Sequence, residues 1–138
     1  MRTIHTFVTK ALKFATREHL GQLRKDGKTP FIEHPIGVAD ILMMAVPDDL
    51  SLIAAAYLHD VMEESNVSYE ELVKEFNEDI AGLVREVTKD GYNFFPHLKT
   101  RRGVLLKFAD RLQNLSDMHT QSEEWQQKYI QKSIFWRI

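Results

Sequence analysis

Residues 50–65 read LSLIAAAYLHDVMEES, and this stretch decides the fold. Its first part, LSLIAAAYL, is apolar almost all the way round a helix, which is typical of a helix buried on most faces. Four ionisable side chains follow at once: His59, Asp60, Glu63 and Glu64. Charged groups are seldom buried unless they are paired or bind a metal, because desolvating an uncompensated ion is costly. The stretch therefore predicts a buried helix with a polar cluster at its carboxyl end.

The cluster has two interpretations when it is taken alone. On one continuous helix, His59 and Glu63 would lie one above the other, and Asp60 and Glu64 would form a parallel pair about 100° round. Helix ends are normally wet, so these side chains could form a solvated face. They could equally converge on a metal or a substrate, and the segment by itself leaves both interpretations open.

Two other segments favour a functional site. FIEHP places His34 at a helix start, and KFADRLQNL places Asp110 inside an apolar stripe with Asn114 one turn later. Alone, His34 would more often be a structural histidine, and Asp110 an ion-pair partner of its neighbour Arg111. Two imidazoles and two carboxylates together suit Mn²⁺, Fe²⁺, Co²⁺ or Zn²⁺ better than Mg²⁺ or Ca²⁺, which prefer oxygen ligands alone. A cation held in this way can lower the pKa of its water to about 7.

The remaining sequence predicts further helices and no strands. Ser68 followed by Glu71 forms a capping box, with Val67 and Leu72 as a hydrophobic staple. Apolar periodicity and turn residues place the other helices at about residues 7–23, 36–45, 48–65, 68–88 with a break near 77, 100–118, and from 122 onward. No stretch alternates with period two. The sequence therefore predicts an all-α fold, a single compact helical domain over residues 1–138.

Composition limits the function classes. With 138 residues and 43% hydrophobic side chains, the chain suits one globular domain. Eighteen basic against 20 acidic residues give a net charge of −2, so no overall positive field favours nucleic acid or an anionic membrane. The absence of cysteine excludes disulfides and thiolate metal sites. The first 20 residues lack the continuous apolar core of a signal peptide or a membrane span, so we expect a cytoplasmic protein.

The candidate metal ligands resemble the pattern of a known protein family. His34, the doublet His59–Asp60 and Asp110 match the H…HD…D pattern of the HD-domain metal-dependent phosphohydrolases. Longer segments resemble, in this order, the hydrolase domain of the RelA/SpoT family, including its small stand-alone alarmone hydrolases: RKDGKTPFIEHPIGVADIL, IAAAYLHDVMEES, LVREVTKD and LLKFADRLQNL. The resemblance implies a helical HD domain that removes the 3′-diphosphate of ppGpp or pppGpp, giving pyrophosphate and GDP or GTP.

The resemblance also implies roles for particular residues. It assigns metal ligands, usually for Mn²⁺ in this family, to His34, His59, Asp60 and Asp110. It assigns the positioning and deprotonation of the attacking water to Glu63 and Glu64. It assigns nucleotide contacts to Arg24, Lys25 and Asn114. Without the resemblance, Arg24 and Lys25 would be read as a solvated basic turn.

Two departures from the family pattern leave the substrate open. Glu64 stands where the family usually has aspartate, and the extra methylene moves the carboxylate by roughly 1–1.5 Å, against a catalytic tolerance of about 0.5 Å. The segment between Thr88 and Lys107 is also shorter than in relatives. Two alternatives therefore remain, namely hydrolysis of another nucleotide phosphate ester such as the 2′-phosphate of NADPH, and nucleotide binding without turnover.

Two surface features complete the expectations. Lys99, Arg101 and Arg102 could add charge to a phosphate-binding lid. The aromatic residues of the last helix could form a self-association surface, or could pack on the domain's own core: Trp125, Tyr129, Phe135 and Trp136.

Overall fold

The computed structural model describes residues 2–89, 97–117, 123–124 and 126–127. Residues 2–89 and 97–117 form seven helices: α1 Arg2–Glu18, α2 Glu33–Ala45, α3 Leu50–Leu58, α4 Val61–Glu64, α5 Tyr69–Glu75, α6 Glu78–Val87 and α7 Arg101–Ser116. Within these ranges the extended backbone is limited to one isolated bridge between Leu23 and Pro30. The all-α prediction is confirmed.

Helix α3 lies at the centre of the fold. It packs against α1, α2, α6 and α7, and every residue from Leu52 to Leu58 is buried. Three consecutive alanines, Ala54–Ala56, are fully buried, and their small side chains let neighbouring helices approach closely. The apolar stretch that opened the sequence analysis therefore forms the core, as predicted.

Side-chain caps begin three of the outer helices, and the cap at Ser68 was predicted. The Ser68 hydroxyl accepts from the Glu71 N–H at 3.1 Å, and the Asn77 side chain accepts from the Ile80 N–H at 2.8 Å. Asn77 thus separates α5 from α6 where the sequence predicted a break. Thr100 caps α7 through the Gly103 N–H at 3.0 Å.

Several helix boundaries differ from those predicted. Helix α1 ends at Glu18 rather than near Leu23, because the chain turns at Gly21, whose φ of 85° favours glycine. Helix α2 begins at Glu33, three residues before the predicted Ile36, so that His34 belongs to its first turn. Proline at position 35 is compatible with a first turn, where backbone N–H groups have no partner within the helix.

The prediction of one continuous helix through residues 59–64 is wrong. Helix α3 ends at Leu58, and the His59 N–H bonds to the Ala56 carbonyl at 3.4 Å, three residues back instead of four. Asp60 lies in the bridge region with φ −104° and ψ −2°, and α4 starts at Val61. His59 and Asp60 consequently lie in a turn between two helices, so their side chains do not follow the spacing expected for one continuous helix.

Other expectations lie partly outside the described residues. Residues 123–124 and 126–127 are helical, in agreement with a last helix, but Trp125, Tyr129, Phe135 and Trp136 lie outside the described part of the chain. Leu112, although it belongs to the apolar pattern around Asp110 on α7, is 52% exposed. Among the described residues, no helix combines the length and the apolar character needed to span a bilayer.

Candidate metal centre and cavity

Three helices bring the predicted ligands together. His34 comes from the first turn of α2, His59 from the end of α3, and Asp110 from the middle of α7. His34 Nε2 lies 2.8 Å and His59 Nε2 lies 3.4 Å from Asp110 Oδ1. All three residues are buried, and one ligand atom from each lies within 4.8 Å of the others. The geometry therefore matches a shared site rather than separate environments.

Asp60 lies beside this trio. Its Oδ2 is 3.1 Å from His59 Nε2 and 3.6 Å from His34 Nε2. The turn that ends α3 turns this carboxylate toward both imidazoles. All the metal ligands that the sequence predicted thus meet at one place.

Hydrogen bonds on the far side of each ring orient the imidazoles. His59 Nδ1 donates to the Ala56 carbonyl at 2.7 Å, and His34 Nδ1 donates to Gln113 Oε1. Each Nε2 atom is thereby turned toward the carboxylates, where it can offer its lone pair to a bound cation. His59 Nε2 is a buried atom for which no well-aligned hydrogen bond is found. Two imidazole nitrogens and two carboxylates that face one another fit a divalent cation.

The electrostatics of the cluster agree with a cation site. Burial raises the pKa of Asp60, but His59 outweighs it and holds the pKa at about 2. Burial likewise opposes the ionisation of Asp110, yet Lys107 and the two imidazoles hold its pKa well below the ordinary value. Burial lowers the pKa of His59, while Asp60 and Asp110 raise it well above the ordinary value. Both carboxylates are therefore charged at neutral pH and attract any available cation.

Lys107 is a further member of the cluster that was not predicted from the sequence. This lysine is 6% exposed, and its Nζ donates to Asp110 Oδ2 at 3.0 Å, on the oxygen that does not face the imidazoles. Its position one turn before Asp110 on α7 was the available signal. A lysine in an amphipathic pattern is ordinarily assigned to the solvated face, because lysine is almost never fully buried without a partner.

A cavity of about 740 Å³ opens over the cluster. Every site residue that the sequence predicted lines it: Arg24, Lys25, His34, His59, Asp60, Glu63, Glu64, Asp110 and Asn114. The described wall also includes residues that the sequence analysis did not select: Gln22, Leu23, Phe31, Val87, Lys89, Lys107 and Arg111. The volume is in the range of small-molecule sites.

Arg24 is built into the cavity wall. Its side chain is only 9% exposed, and Nη2 donates to Asn114 Oδ1 at 2.9 Å. Asn114 Nδ2 in turn approaches Asp110 Oδ1 at 3.4 Å, and the Arg24 guanidinium lies 5.9 Å from the centre of the Phe31 ring. For Arg24, the interpretation as a solvated basic turn is therefore wrong.

Glu63 and Glu64 occupy the rim of the same cavity. Glu63 Oε1 accepts from the Lys89 N–H at 2.7 Å. Burial raises the pKa of Glu63, and the charge of Asp60 raises it further, although the hydrogen bond from Lys89 opposes the shift. Both residues are exposed at the rim, and the Glu64 backbone carbonyl accepts from Gln22 Nε2 at 3.0 Å. Of the two, Glu63 has the environment of a proton acceptor.

Comparison with known proteins agrees with the HD-domain resemblance and with the clustering of the candidate metal ligands. Residues 11–91 match the family model described as "HD domain". The chain is 35% identical to guanosine-3′,5′-bis(diphosphate) 3′-pyrophosphohydrolase MESH1 of Xenopus tropicalis, over 94% of this chain and 79% of that protein. It is 36% identical to human MESH1, over 92% of this chain and 78% of the human protein. The chain belongs to the MESH1 family of HD-domain proteins.

A solved structure supports the same assignment. It is described by the words "A metazoan ortholog of SpoT hydrolyzes ppGpp and plays a role in starvation responses". It superposes with a TM-score of 0.76 at 32% identity, and the match covers 89% of this chain and 79% of that one. The resemblance to RelA/SpoT hydrolase domains is confirmed, and with it the helical HD fold.

The expected basic lid differs in this MESH1-family protein. Arg102 pairs with Asp49 at 2.8 Å and with Asp79 at 2.9 Å, so its charge joins α7 to the starts of α3 and α6. Lys99 and Arg101, like Arg102, are not part of the described cavity wall. Besides Arg24 and Lys25, the basic residues of the described wall are Lys89, Lys107 and Arg111. The sequence could not reveal this, because ion pairs between distant helices depend on the fold.

Proposed function

We propose that this protein is a metal-dependent hydrolase that removes the 3′-diphosphate of ppGpp or pppGpp, releasing pyrophosphate and GDP or GTP. The observation that carries the proposal is the single cavity shared by the predicted metal ligands, the acidic pair and the predicted nucleotide contacts. Relatives of this chain at about 35% identity are named for this reaction. The substrate suits the cavity, since five basic residues of the described wall can offset its phosphate charges: Arg24, Lys25, Lys89, Lys107 and Arg111.

The metal would be held by His34 Nε2, His59 Nε2, Asp60 and Asp110. We propose Mn²⁺ as the ion, on the family resemblance and on the mixed nitrogen and oxygen set. When bound, such an ion polarises water and offsets charge on the phosphate oxygens. The chain's own part is to hold four ligands in place, with the far nitrogen of each imidazole anchored by a hydrogen bond.

Glu63 would receive the proton of the attacking water. The Lys89 N–H donates to Glu63 Oε1 at 2.7 Å and so holds this carboxylate at the cavity wall. The raised pKa of Glu63 makes it a stronger base than an ordinary carboxylate. Glu64 would assist in positioning the water from the rim.

Arg24, Lys25 and Asn114 would bind the nucleotide. Arg24 is already held by Asn114 and lies near the Phe31 ring, so little side-chain entropy is lost when it contacts a base or a phosphate.

We also propose that the chain is a single cytoplasmic domain and that its last helix supports self-association. Light scattering after size exclusion tests the self-association.

One set of assays tests the proposal against its alternatives. Purified protein is incubated with Mn²⁺ and, in separate reactions, with ppGpp, NADPH or mononucleotides, and the products are resolved by anion exchange. Pyrophosphate and GDP from ppGpp support the proposal. Inorganic phosphate from NADPH or a mononucleotide, or tight binding of ppGpp without turnover, would overturn it. Asp60→Ala should abolish both Mn²⁺ content and turnover.

A further inference from the structure

A side chain outside the predicted site also contacts the metal cluster. Gln113 lies on α7, one turn beyond Asp110, and its Oε1 accepts from His34 Nδ1. On its other side, Gln113 Nε2 donates to Asp117 Oδ2 at 3.0 Å. The amide thus joins a predicted metal ligand to a carboxylate at the carboxyl end of α7.

Asp117 determines which way the amide points. An ionised carboxylate can only accept hydrogen bonds, so the NH₂ group of Gln113 must face Asp117 and the carbonyl oxygen must face His34. A carbonyl oxygen also only accepts, so His34 Nδ1 must carry the proton. Nε2 is therefore the nitrogen that faces Asp110 Oδ1, at 2.8 Å, and that can exchange its hydrogen bond for a bond to a cation. Asp117 Oδ2 also lies 3.9 Å from Arg24 Nη2.

Gly37 makes room for this arrangement. It lies one turn after His34 on α2, and a Cβ built at this position would lie 2.7 Å from Gln113 Cγ and 3.0 Å from Nε2. Any larger residue would push the Gln113 side chain off its course toward His34. The glycine and the glutamine, from two different helices, are thus matched to each other.

We infer that Gln113 is a positioning residue for the metal centre, which fixes the tautomer and ring orientation of His34 through a relay from Asp117. This inference rests on the proposed metal site and extends it by three residues of this chain: Gly37, Gln113 and Asp117. Hydrogen-bond partners of metal-bound histidines typically alter metal affinity by about 10–100-fold when they are removed. Gln113 therefore acts through His34 and need not touch the nucleotide.

Metal affinity measured without substrate tests the inference. Mn²⁺ binding to the full chain is followed by competition with a chelator, for wild type, Gln113→Leu, Gln113→Glu and Gln127→Leu. Gln113→Leu keeps the size of the side chain but cannot accept a hydrogen bond, so its dissociation constant should rise about 10–100-fold. Gln113→Glu still accepts from His34 Nδ1 but no longer donates to Asp117, so it should lose less affinity for Mn²⁺ than Gln113→Leu does. Gln127 is an exposed helical residue outside the cavity wall, so Gln127→Leu should bind as wild type does.

Two further measurements separate positioning from a general loss of structure. In the Zn²⁺-loaded wild type, nitrogen NMR should show His34 with its proton on Nδ1 and the metal on Nε2. Gly37→Ala should weaken Mn²⁺ binding, as Gln113→Leu does. Circular dichroism should show an intact helical fold, since alanine has a higher helix propensity than glycine.

The outcomes are distinct. A Gln113→Leu variant that binds Mn²⁺ within about twofold of wild type would overturn the inference and leave the proposed function standing. Zinc on His34 Nδ1 in the wild type would also overturn it. A wild type that binds neither Mn²⁺ nor Zn²⁺ would remove the metal centre itself, and with it both the inference and the proposed function. Normal metal binding without ppGpp hydrolysis would refute the proposed substrate alone.

Discussion

Lys107→Met should expose how much the buried cluster depends on compensating charge. Lys107 and Asp110 are 6% and 8% exposed, and Nζ lies 3.0 Å from Oδ2. At that distance, two unit charges attract by about 5 kcal/mol for an effective dielectric constant of about 20. Removing one partner of a buried pair ordinarily costs about 3–5 kcal/mol, because the other charge is left uncompensated. His34 and His59 also face Asp110, so we expect the lower end, about 3 kcal/mol.

The assay is urea unfolding of Lys107→Met and wild type, once with a chelator and once with saturating Mn²⁺. Methionine keeps the unbranched apolar stem of lysine, so the change is mainly one of charge. A divalent cation at the cluster would compensate Asp110, so the loss in free energy of unfolding should shrink by half or more with Mn²⁺. Lys13→Met, at an exposed position on α1, is the matched control and should change stability by less than about 0.5 kcal/mol. An equal loss with and without Mn²⁺ would refute the reasoning, as would the absence of any loss.

Three further predictions address catalysis, binding and acid stability. Glu63→Gln should lower kcat about 10²–10⁴-fold and leave Mn²⁺ affinity unchanged, because only the proton acceptor is lost; an unaltered kcat would exclude Glu63 as the base. Arg24→Gln should raise KM for ppGpp about 10–100-fold, since a hydrogen bond to a charged group contributes about 1.5–3 kcal/mol; an unchanged KM in steady-state kinetics would count against the contact. Asp60 has a pKa of about 2 in the fold against 3.8 ordinarily, so its contribution of about 2 kcal/mol is present above pH 3.8 and is lost as the pH falls toward 2. Without metal, the free energy of unfolding of Asp60→Asn should therefore depend less on pH below pH 3.8 than that of the wild type. Equal slopes in pH-dependent urea titrations of the two proteins would contradict the lowered pKa of Asp60.

Patterns within one segment predicted the fold well. The apolar run of α3, the cap at Ser68, the break near Asn77 and the helix start near Thr100 depend on neighbouring residues alone, and the structure contains all of them. The turn at His59–Asp60 was not predictable in the same way. Helical periodicity continues through it, and the Ala56 carbonyl that ends the helix is shared by the His59 backbone and its ring nitrogen.

Within the candidate site, some residues could be predicted from the sequence and others could not. His34, His59 and Asp110 were identified by their combination and by the H…HD…D family pattern, since each has an ordinary explanation when it is taken alone. Lys107 and Gln113 are ordinary residues in an amphipathic helix, and their importance comes from what α2 and α7 place opposite them. Such contacts between distant segments need the fold before they can be found.

The central claim is that four side chains from three distant segments hold one divalent cation. Anomalous diffraction from crystals grown with Mn²⁺ tests it most directly. We expect one manganese peak at bonding distance from His34 Nε2, His59 Nε2, Asp60 and Asp110. In Asp110→Ala this peak should be absent. A fully active protein with no peak at these four residues, or with its manganese bound elsewhere, would contradict the account.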